Sequence, residues 1–535
     1  MAGATYFVHT PTGIKYQPGV LPNAPWPSGS EEGIVNWWRG GHWFTLMAGL
    51  NASADGLIKL VGGANQGAEG NANPAEFFVE QLLDELDSEL EFHLEVAPGG
   101  GSATLYYMPN ASVPAGTPPP ADTVLEAPTL SRLVSVRGEP GAPATGISIV
   151  GLGMKDAAPS YLGGPGWASC TGGDWGMAMD AALFLEHTED VTVADTRHDR
   201  IDGNGLLLLG HNHRTNISRA TFNNIGASAV VLFGRSDGYD ASNGDQPRFT
   251  TVDNMWCSRV GVFEKQSSCY YQGLAPQNTL SRSVLYESSR ALINYEDVIG
   301  GGSRVDSNLV FASCLESQDH GPFNSWHRLP MLTRVADGKT LSASSAYSNL
   351  TNNFIVATEG GSFGPEAGAN GGCFDLDDGS AWFRVTNNWC SYGGYKTDFN
   401  GYSHRAQDSV NAYSYVYGGG CLRMSSLPVP SDGLYDSGFS NMTCILSSAG
   451  EQYLNIGGEC DPSDRESFTL KLGGNTIYAP DASVVVSCGG KKYTFEEWMA
   501  TGADPGTVVK AAPTPEDVVA MGRAVLGIPS VVWRD

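Results

Sequence analysis

Short runs of apolar, β-branched residues recur between about residues 185 and 450, and each run is separated from the next by a polar turn that often carries Asn or Gly. Successive units lie about 22 to 33 residues apart, a spacing typical of solenoid repeats. None of the units has a helical period of apolar positions. Because each such unit can bury its apolar face only by stacking on its neighbours, the pattern predicts an all-β, right-handed parallel β-helix.

The segments that flank these repeats have different patterns. Residues 75–92 predict a helix that leads into a strand, and residues 91–110 predict a hairpin around a Gly-rich loop. Near the C-terminus, residues 515–527 predict a short helix, as expected of a cap that covers the open end of a solenoid.

These patterns divide the chain into three regions. We expect an N-terminal β-rich module and entry into the solenoid at 1–135, the parallel β-helix at 136–470, and a C-terminal cap at 471–535.

Composition and charge narrow the class of partner. The 535 residues are 41% hydrophobic, which is ample for a folded core, and 57 acidic against 31 basic residues give a net charge of −26. This charge argues against nucleic acid and anionic membrane surfaces as partners, and no apolar run approaches the ~18 residues of a membrane span. A neutral or cationic substrate fits this charge better, and an acidic glycan would need a metal ion to bind. The oligomeric state leaves no signal in the sequence.

Cysteines and glycosylation motifs indicate an oxidising compartment. The chain has ten cysteines and five N-x-S/T sequons, so we expect an extracellular glycoprotein with disulfides. No basic segment followed by an apolar stretch, as in a signal peptide, is visible in residues 1–10. The sequons lie at Asn51, Asn110, Asn216, Asn349 and Asn441.

One strand of each predicted coil should stack on the equivalent strand of the next coil. The aligned segments are 205–210, 229–234, 261–266, 291–296, 318–323, 373–379 and 395–399. The early segments are apolar, whereas the later ones carry a ladder of polar side chains. Its members are Glu264, Lys265, Asn294, Glu296, Asp319, His320, Asp375, Asp377, Asp378, Lys396 and Asp398.

The spacing of the acids in this ladder suits general acid–base chemistry. Asp375 and Asp377 are two apart and share one face of a strand, while Asp398 lies about one coil further on. Neighbouring coils are ~4.8 Å apart, which brings carboxylates close to the ~5 to 5.5 Å separation used by retaining glycosidases, whereas a pair that skips one coil would approach the ~6.5 to 9.5 Å of inverting ones. The scaffold supplies both distances. Crowded carboxylates cannot all be ionised comfortably, so one is expected to act as acid and another as nucleophile or base.

Three motifs extend this interpretation. "DHGPFNSW" at 319–326, "DLDDGS" at 375–380 and "GGYK" at 393–396 resemble a family of right-handed, pectin-lyase-like β-helix proteins. That family is related to glycoside hydrolases that include β-xylosidases and an α-L-fucosidase, and the resemblance covers roughly residues 75–500. It implies hydrolysis of glycosidic bonds. The chain departs from the family pattern at His327, where an acid is expected. It also departs after "GGYK", where a Glu is expected and Asp398 would have to take its role.

The ladder and the resemblance together define the candidate site residues. We expect catalytic roles for Asp319, Asp375, Asp377 and Asp398. Substrate-binding roles are expected for Lys265, Asn294, His320, Trp326, Arg328, Asp378 and Lys396.

Two other functions fit the same residues. In a polysaccharide lyase or epimerase, Asp375, Asp377 and Asp378 would hold Ca²⁺ against a uronate, and a basic residue would abstract a proton. In a non-catalytic glycan-binding protein the scaffold would remain without the reaction. The hydrolase interpretation requires no cofactor or metal. His211 and His213 alternate as metal ligands do, but the sequence offers no third ligand at a matching spacing.

Overall fold

The computed structural model describes residues 7–529 apart from short segments. These segments are 11–12, 18, 22, 27–32, 39–41, 44, 55, 64–75, 98–100, 115, 119, 121, 163–166, 170–175, 238–240, 242, 298–300, 319, 328–345, 360–361, 364–371, 398–404, 414–419, 428–436 and 465.

The central part of the chain is a parallel β-helix, which confirms the fold class predicted from the repeats. Each coil passes through three sheets in turn, named sheet A, sheet B and sheet C, and pairs in parallel with the coils before and after it. Sheet A contains the strands Val134–Arg137, Ala144–Thr145, Ala181–Glu189, Asn204–His213, Val230–Phe233, Pro247–Arg248, Tyr270–Gly273, Ile293–Glu296, Phe323–Trp326, Phe374–Leu376, Tyr395–Thr397, Leu422–Met424, Gln452–Ile456, Val485–Cys488 and Lys491–Thr494. Sheet B contains Ser148–Val150, Thr192–Ala194, Asn216–Ser218, Thr251–Asp253, Thr279–Ser281, Arg304–Asp306, Ser348–Thr351, Phe383–Thr386, Arg405–Gln407, Gly438–Ser440 and Lys471–Gly473. Sheet C contains Gly153–Ala157, Arg197–Ile201, Thr221–Ile225, Trp256–Val260, Val284–Ser288, Leu309–Phe311, Phe354–Val356, Trp389–Ser391, Val410–Ala412, Thr443–Ile445, Thr476–Ala479 and Val508–Ala511.

The core of the β-helix is a continuous column of inward-facing side chains. Alternate residues of each short strand point inward, so equivalent residues of successive coils lie in register and bury one another. In sheet A, for example, Ile293, Phe323, Phe374 and Tyr395 are successive partners, and each is at most 1% exposed. Apolar burial along this column supplies the main stabilisation of a solenoid.

The corner between sheet B and sheet C buries a ladder of asparagines. The amide nitrogen of Asn308 donates to Asn353 Oδ1 at 3.0 Å, and that of Asn353 donates to Asn388 Oδ1 at 2.9 Å. The backbone N–H groups of Asn308 and Asn353 donate to the same two oxygens. Each asparagine follows a residue with positive φ, Ser307, Asn352 and Asn387 respectively. The polar, Asn-bearing turns of the repeat are therefore corners whose buried groups satisfy those of the next coil.

The N-terminal part of the chain forms a separate antiparallel sheet, named the N-terminal sheet. Its strands, in spatial order, are Phe7–Thr10, Gly13–Tyr16, Leu57–Val61, Thr45–Ala54, Ile34–Trp38 and Phe77–Glu80. This sheet contacts the β-helix where Trp38 Nε1 donates to the backbone oxygen of Glu316, and where the Gln318 N–H donates to the backbone oxygen of His42.

Three hairpins supplement these sheets. One is Phe92–Val96 with Ala103–Tyr107, which confirms the hairpin predicted in 91–110. The other two are Trp167–Ser169 with Gly176–Ala178, and Thr358–Glu359 with Ser362–Phe363.

The helix predicted within residues 75–92 is wrong. The chain there forms strand Phe77–Glu80, a 3-10 turn at Leu83–Glu85 and the start of the hairpin strand at Phe92. Phe77–Glu80 pairs with Ile34–Trp38, so tertiary pairing overrides the local helical propensity.

Two α-helices lie at the C-terminal end, and the second confirms the helix predicted near 515–527. Helix α1 spans Phe495–Thr501 and helix α2 spans Pro515–Val525, and a threonine before each helix forms a capping box. Trp498 of α1 is fully buried in the core of the β-helix, and Val518 of α2 packs beside Trp389 on sheet C. Among the described residues, neither helix is long and apolar enough to cross a bilayer.

Among the cysteines that the structure describes, four disulfides join strands or corners inside the solenoid. They are Cys257–Cys269, Cys373–Cys390, Cys421–Cys444 and Cys460–Cys488. Cys314 is buried, and its thiol donates to the backbone oxygen of His320. Four disulfides are compatible with an extracellular protein.

Two of the predicted strand alignments in sheet A are wrong. Residues 261–266 and 318–322 precede the strands Tyr270–Gly273 and Phe323–Trp326, so Glu264, Lys265 and His320 lie in loops rather than on the strands. These loops bury polar side chains and differ in length from coil to coil. An alignment that assumes a constant repeat length therefore misplaces the strands that follow them.

We expect Asn353→Ala to lower the free energy of unfolding by about 2 to 3 kcal/mol, because it leaves two buried donors of the preceding coil, the N–H and the side-chain amide of Asn308, without their acceptor. Asn349→Ala, on the same coil, is the matched control in protein produced without glycosylation, since its amide makes one long hydrogen bond to the backbone oxygen of Tyr347. Urea unfolding measures both variants, and equal midpoints for the two would contradict the role of the ladder.

Candidate active site

The outer face of sheet A changes character along the solenoid. In the early coils it is apolar, with Leu207, Val231 and Tyr271 buried in a second hydrophobic cluster. Further along, the same column continues through polar and charged residues. In order of register these are Asn294, Asn324, Asp375, Lys396 and Arg423.

The two acids of this face lie where their spacing predicts. Phe374 and Leu376 point into the core and are each 1% exposed, while both Asp375 and Asp377 lie near the Lys396 side chain. Asp375 is fully buried, whereas the side chain of Asp377 is 20% exposed. Asp377 is therefore the carboxylate of this pair that meets solvent.

Asp375 is surrounded by hydrogen-bond donors from neighbouring coils. Lys396 Nζ lies 3.1 Å from its Oδ1, and Asn324 Nδ2 donates to Oδ2 at 3.2 Å. His320 Nδ1 lies 3.3 Å from the same Oδ2. These contacts offset the cost of burying the charge of the Asp375 carboxylate.

The protonation of His320 follows from its second partner. Arg290 contacts His320 Nε2 through its guanidinium, which can only donate hydrogen bonds. The Arg290 contact favours a neutral ring in which Nε2 accepts and the proton is on Nδ1, 3.3 Å from Asp375 Oδ2. Arg290 and His320 are 1% and 4% exposed, so this chain of contacts is withdrawn from solvent.

We refer to Arg290, His320, Asn324, Asp375, Asp377 and Lys396 as the charged cluster. Lys396 connects its two acids, because Lys396 Nζ is also 3.6 Å from Asp377 Oδ1. A fixed ammonium beside a partly exposed carboxylate gives this carboxylate a defined orientation and charge environment.

Glu264 is a second buried acid near this cluster. Its Oε1 accepts from the Gln266 N–H at 3.0 Å, and its Oε2 accepts from Ser267 Oγ at 2.7 Å. Burial raises the pKa of Glu264 to about 7, against the opposing effects of these hydrogen bonds and of Arg290. Gln266 also accepts from the Thr45 N–H of the N-terminal sheet, so Glu264 lies at the seam between that sheet and the β-helix.

Another buried acid, Glu296, lies one coil before Trp326 in register. Tyr271 Oη donates to Glu296 Oε2 at 3.1 Å, and Asn294 Nδ2 donates to Oε1 at 3.3 Å. Glu296 is 1% exposed and Trp326 is 8% exposed. Trp326 is thus packed against the sheet in this structure instead of presenting an open ring face.

The structure brings His320, Asp375, Asp377 and Lys396 together. Asn294 lies one coil before Asn324 in the same column. Lys265 lies elsewhere, since its Nζ is 2.9 Å from Glu316 Oε1 near the N-terminal sheet. Asp378 is part of the turn after its strand, where its backbone oxygen accepts from the His327 N–H. Asp319, Arg328 and Asp398 lie outside the described residues.

Sequence reasoning missed Arg290 and did not assign Asn324 to the site. Arg290 precedes Ile293 by three positions and His320 precedes Phe323 by three, and these two strand residues are partners in register. Equal offsets from paired strands would have placed the two side chains side by side. This equal offset is visible in the sequence, but it can be recognised only when the two strands are aligned correctly.

No protein-family model matches this chain. No curated protein matches it either. A solved structure titled "Glycoside hydrolase" is similar at a TM-score of 0.49 and 12% identity, covering 71% of this chain and 66% of that chain. The chain therefore spans about two thirds of the length of that structure. At this identity the comparison concerns only the path of the backbone, and it says nothing about the side chains of the charged cluster.

The raised pKa of Glu264 predicts a pH-dependent stability. The unfolded chain releases this proton near pH 4.5 and the folded chain near pH 7, so the free energy of unfolding falls as pH rises across this window. Across this window, the free energy of unfolding of the wild type should fall by about 3 kcal/mol relative to that of the Glu264→Gln variant. Urea unfolding from pH 4 to pH 8 measures the difference. A difference that stays constant with pH would contradict the assignment.

Lys396→Met should lower the free energy of unfolding by about 3 to 5 kcal/mol, because it leaves Asp375 buried without its ammonium partner. The double variant Asp375→Asn, Lys396→Met should lose less than the sum of the two single variants. Lys155→Met is the control, since Lys155 pairs with Asp156 on the surface and its loss should leave the free energy of unfolding nearly unchanged. Additive single effects in denaturant titrations would refute the coupling.

Proposed function

We propose that this chain is an extracellular carbohydrate-active enzyme that hydrolyses glycosidic bonds of a poly- or oligosaccharide at the outer face of sheet A. The observation that carries the proposal is a partly exposed carboxylate, Asp377, beside Lys396 of the next coil, whose ammonium also pairs with the buried Asp375. Glycosidases use carboxylates that remain fixed while charge develops on the sugar ring.

Within this proposal Asp377 is the catalytic carboxylate and Asp375 is a positioning residue. The fully buried Asp375 does not reach a substrate, but it holds Lys396 in place, and Lys396 in turn orients Asp377. His320, backed by Arg290, fixes the other oxygen of Asp375. A supported carboxylate keeps its geometry through the reaction and costs little reorganisation.

A second carboxylate is needed for acid–base catalysis, and the proposal assigns it to Asp319 or Asp398. Asp398 follows Lys396 by two positions, as Asp377 follows Asp375, and Asp319 immediately precedes His320. The separation of the two carboxylates decides whether the reaction retains or inverts the anomeric configuration.

The position of Lys396 disfavours the Ca²⁺-dependent lyase alternative. His320, Asp375 and Asp377 offer ligand atoms within 4.8 Å of one another. However, the Lys396 ammonium is 3.1 Å from one acid and 3.6 Å from the other, so a divalent cation bound between them would meet a fixed positive charge. At 3% exposure, Lys396 is also poorly placed to abstract a proton from a substrate.

We expect Asp377→Asn to lower kcat/KM on a hydrolysed substrate by roughly 10²- to 10⁴-fold while the melting temperature stays nearly constant. A panel of aryl glycosides and polysaccharides provides the assay. Asp408→Asn is the matched control, because Asp408 is an exposed acid at the corner between sheets B and C.

Three results would overturn the proposal. One is unaltered turnover by Asp377→Asn. Another is loss of wild-type activity in EDTA together with absorbance from an unsaturated product, which would establish the lyase reaction. The third is binding of the wild type on a glycan array without turnover of any substrate, which would establish a glycan-binding protein.

A further inference from the structure

A second group of ionisable side chains lies in the early coils, away from the charged cluster. It consists of Glu189, at the end of strand Ala181–Glu189, and of His211 and His213, at the end of strand Asn204–His213. Glu189 and His213 are direct partners in register across these two strands. The third ligand that the sequence alone did not offer is thus supplied by the preceding coil.

The donor atoms of the three side chains converge. His211 Nε2 lies 2.9 Å from Glu189 Oε1, and the two imidazole rings are 3.9 Å apart between centroids. One ligand atom from each residue lies within 4.8 Å of the other two. In tetrahedral Zn²⁺ sites, ligands at ~2.0 to 2.1 Å from the metal stand roughly 3.3 Å from one another, so small side-chain rotations suffice.

His213 provides an independent sign that a ligand belongs here. The residue is 9% exposed, and its Nε2 is buried without a hydrogen-bond partner among the described residues. Buried polar atoms are nearly always satisfied, so an imidazole nitrogen facing two other donor groups calls for an explanation. A coordinated metal ion would satisfy it.

Charges of both signs surround the group. The buried Arg248, which is the register partner of His213 on the following strand, donates to Gln246 Oε1 at 2.7 Å and to Gln277 Oε1 at 3.3 Å. Arg214 Nη2 contacts Glu189 Oε2 and leaves Oε1 directed to His211. The guanidinium of Arg214 also pairs with both oxygens of Asp190, which offsets its positive charge. Glu189 therefore retains one carboxylate oxygen for coordination.

We propose that Glu189, His211 and His213 bind a divalent transition metal ion of the Zn²⁺ class. Two imidazoles and one carboxylate are the borderline donors that Zn²⁺ prefers over Ca²⁺ or Mg²⁺, and three protein ligands leave the fourth position to water. The ion would tie the ends of two successive sheet A strands together and would stabilise the first coils. This site is independent of the glycosidase proposal, because it shares no residue with the charged cluster.

The test uses the untagged full chain, stripped of metal with a chelator that is then removed. Calorimetric titration with Zn²⁺ should give one equivalent bound, and Co²⁺ should produce the intense visible bands of a tetrahedral site. His213→Ala and Glu189→Gln should each weaken Zn²⁺ binding by at least about tenfold. His187→Ala should bind as the wild type does, because His187 lies on the same strand as Glu189 but outside the ligand group.

His211→Ala keeps the test decisive if His213→Ala does not fold, since the His211 side chain is 26% exposed and its loss leaves no core cavity. A wild type that takes up neither Zn²⁺ nor Co²⁺ would overturn the proposal. So would a folded His211→Ala variant that binds Zn²⁺ as tightly as the wild type, or a His187→Ala variant that loses binding to the same extent.

Discussion

In-register parallel pairing of successive coils is the constraint on which the rest of the structure depends. Backbone hydrogen bonds between coils hold equivalent residues ~4.8 Å apart, so every side chain has a fixed neighbour above and below it. Asn324, Asp375 and Lys396 come together only because their strands are consecutive in sheet A. The same pairing brings Glu189 to His213. A functional site on this scaffold is therefore formed by residues that are aligned across successive coils, and not by residues that are close in sequence.

Columns also explain how the molecule tolerates so many buried polar groups. An isolated buried amide or charge costs several kcal/mol, but in a stack each group donates to one neighbour and accepts from the other. The asparagines Asn308, Asn353 and Asn388 do this at a corner, and the charged cluster does it on the outer face. The same hydrogen bonds between successive coils thus determine both the stability and the geometry of the site. A substitution in one coil therefore also affects the buried polar groups of its neighbours.

The sequence was sufficient for the fold class, the alternation of Asp375 and Asp377 against the core, and the C-terminal helix, because these follow from local period and propensity. It was insufficient where loop length decides position. The placement of His320 before its strand, and its contact with Arg290, depend on loops that differ between coils. Glu189 could be matched to His213 only once the strand register was known, since no fixed sequence spacing links residues of different coils.

The strands Phe323–Trp326 and Ser348–Thr351 are consecutive, as are Ile293–Glu296 and Arg304–Asp306, yet the first pair is joined by a much longer stretch of chain. Both coils nevertheless keep the same register with their neighbours. Extra residues can thus accumulate between sheets without displacing the acids on the sheet itself. In such an architecture, insertions between the sheets can change the surface that surrounds sheet A while the side chains of the sheet keep their positions.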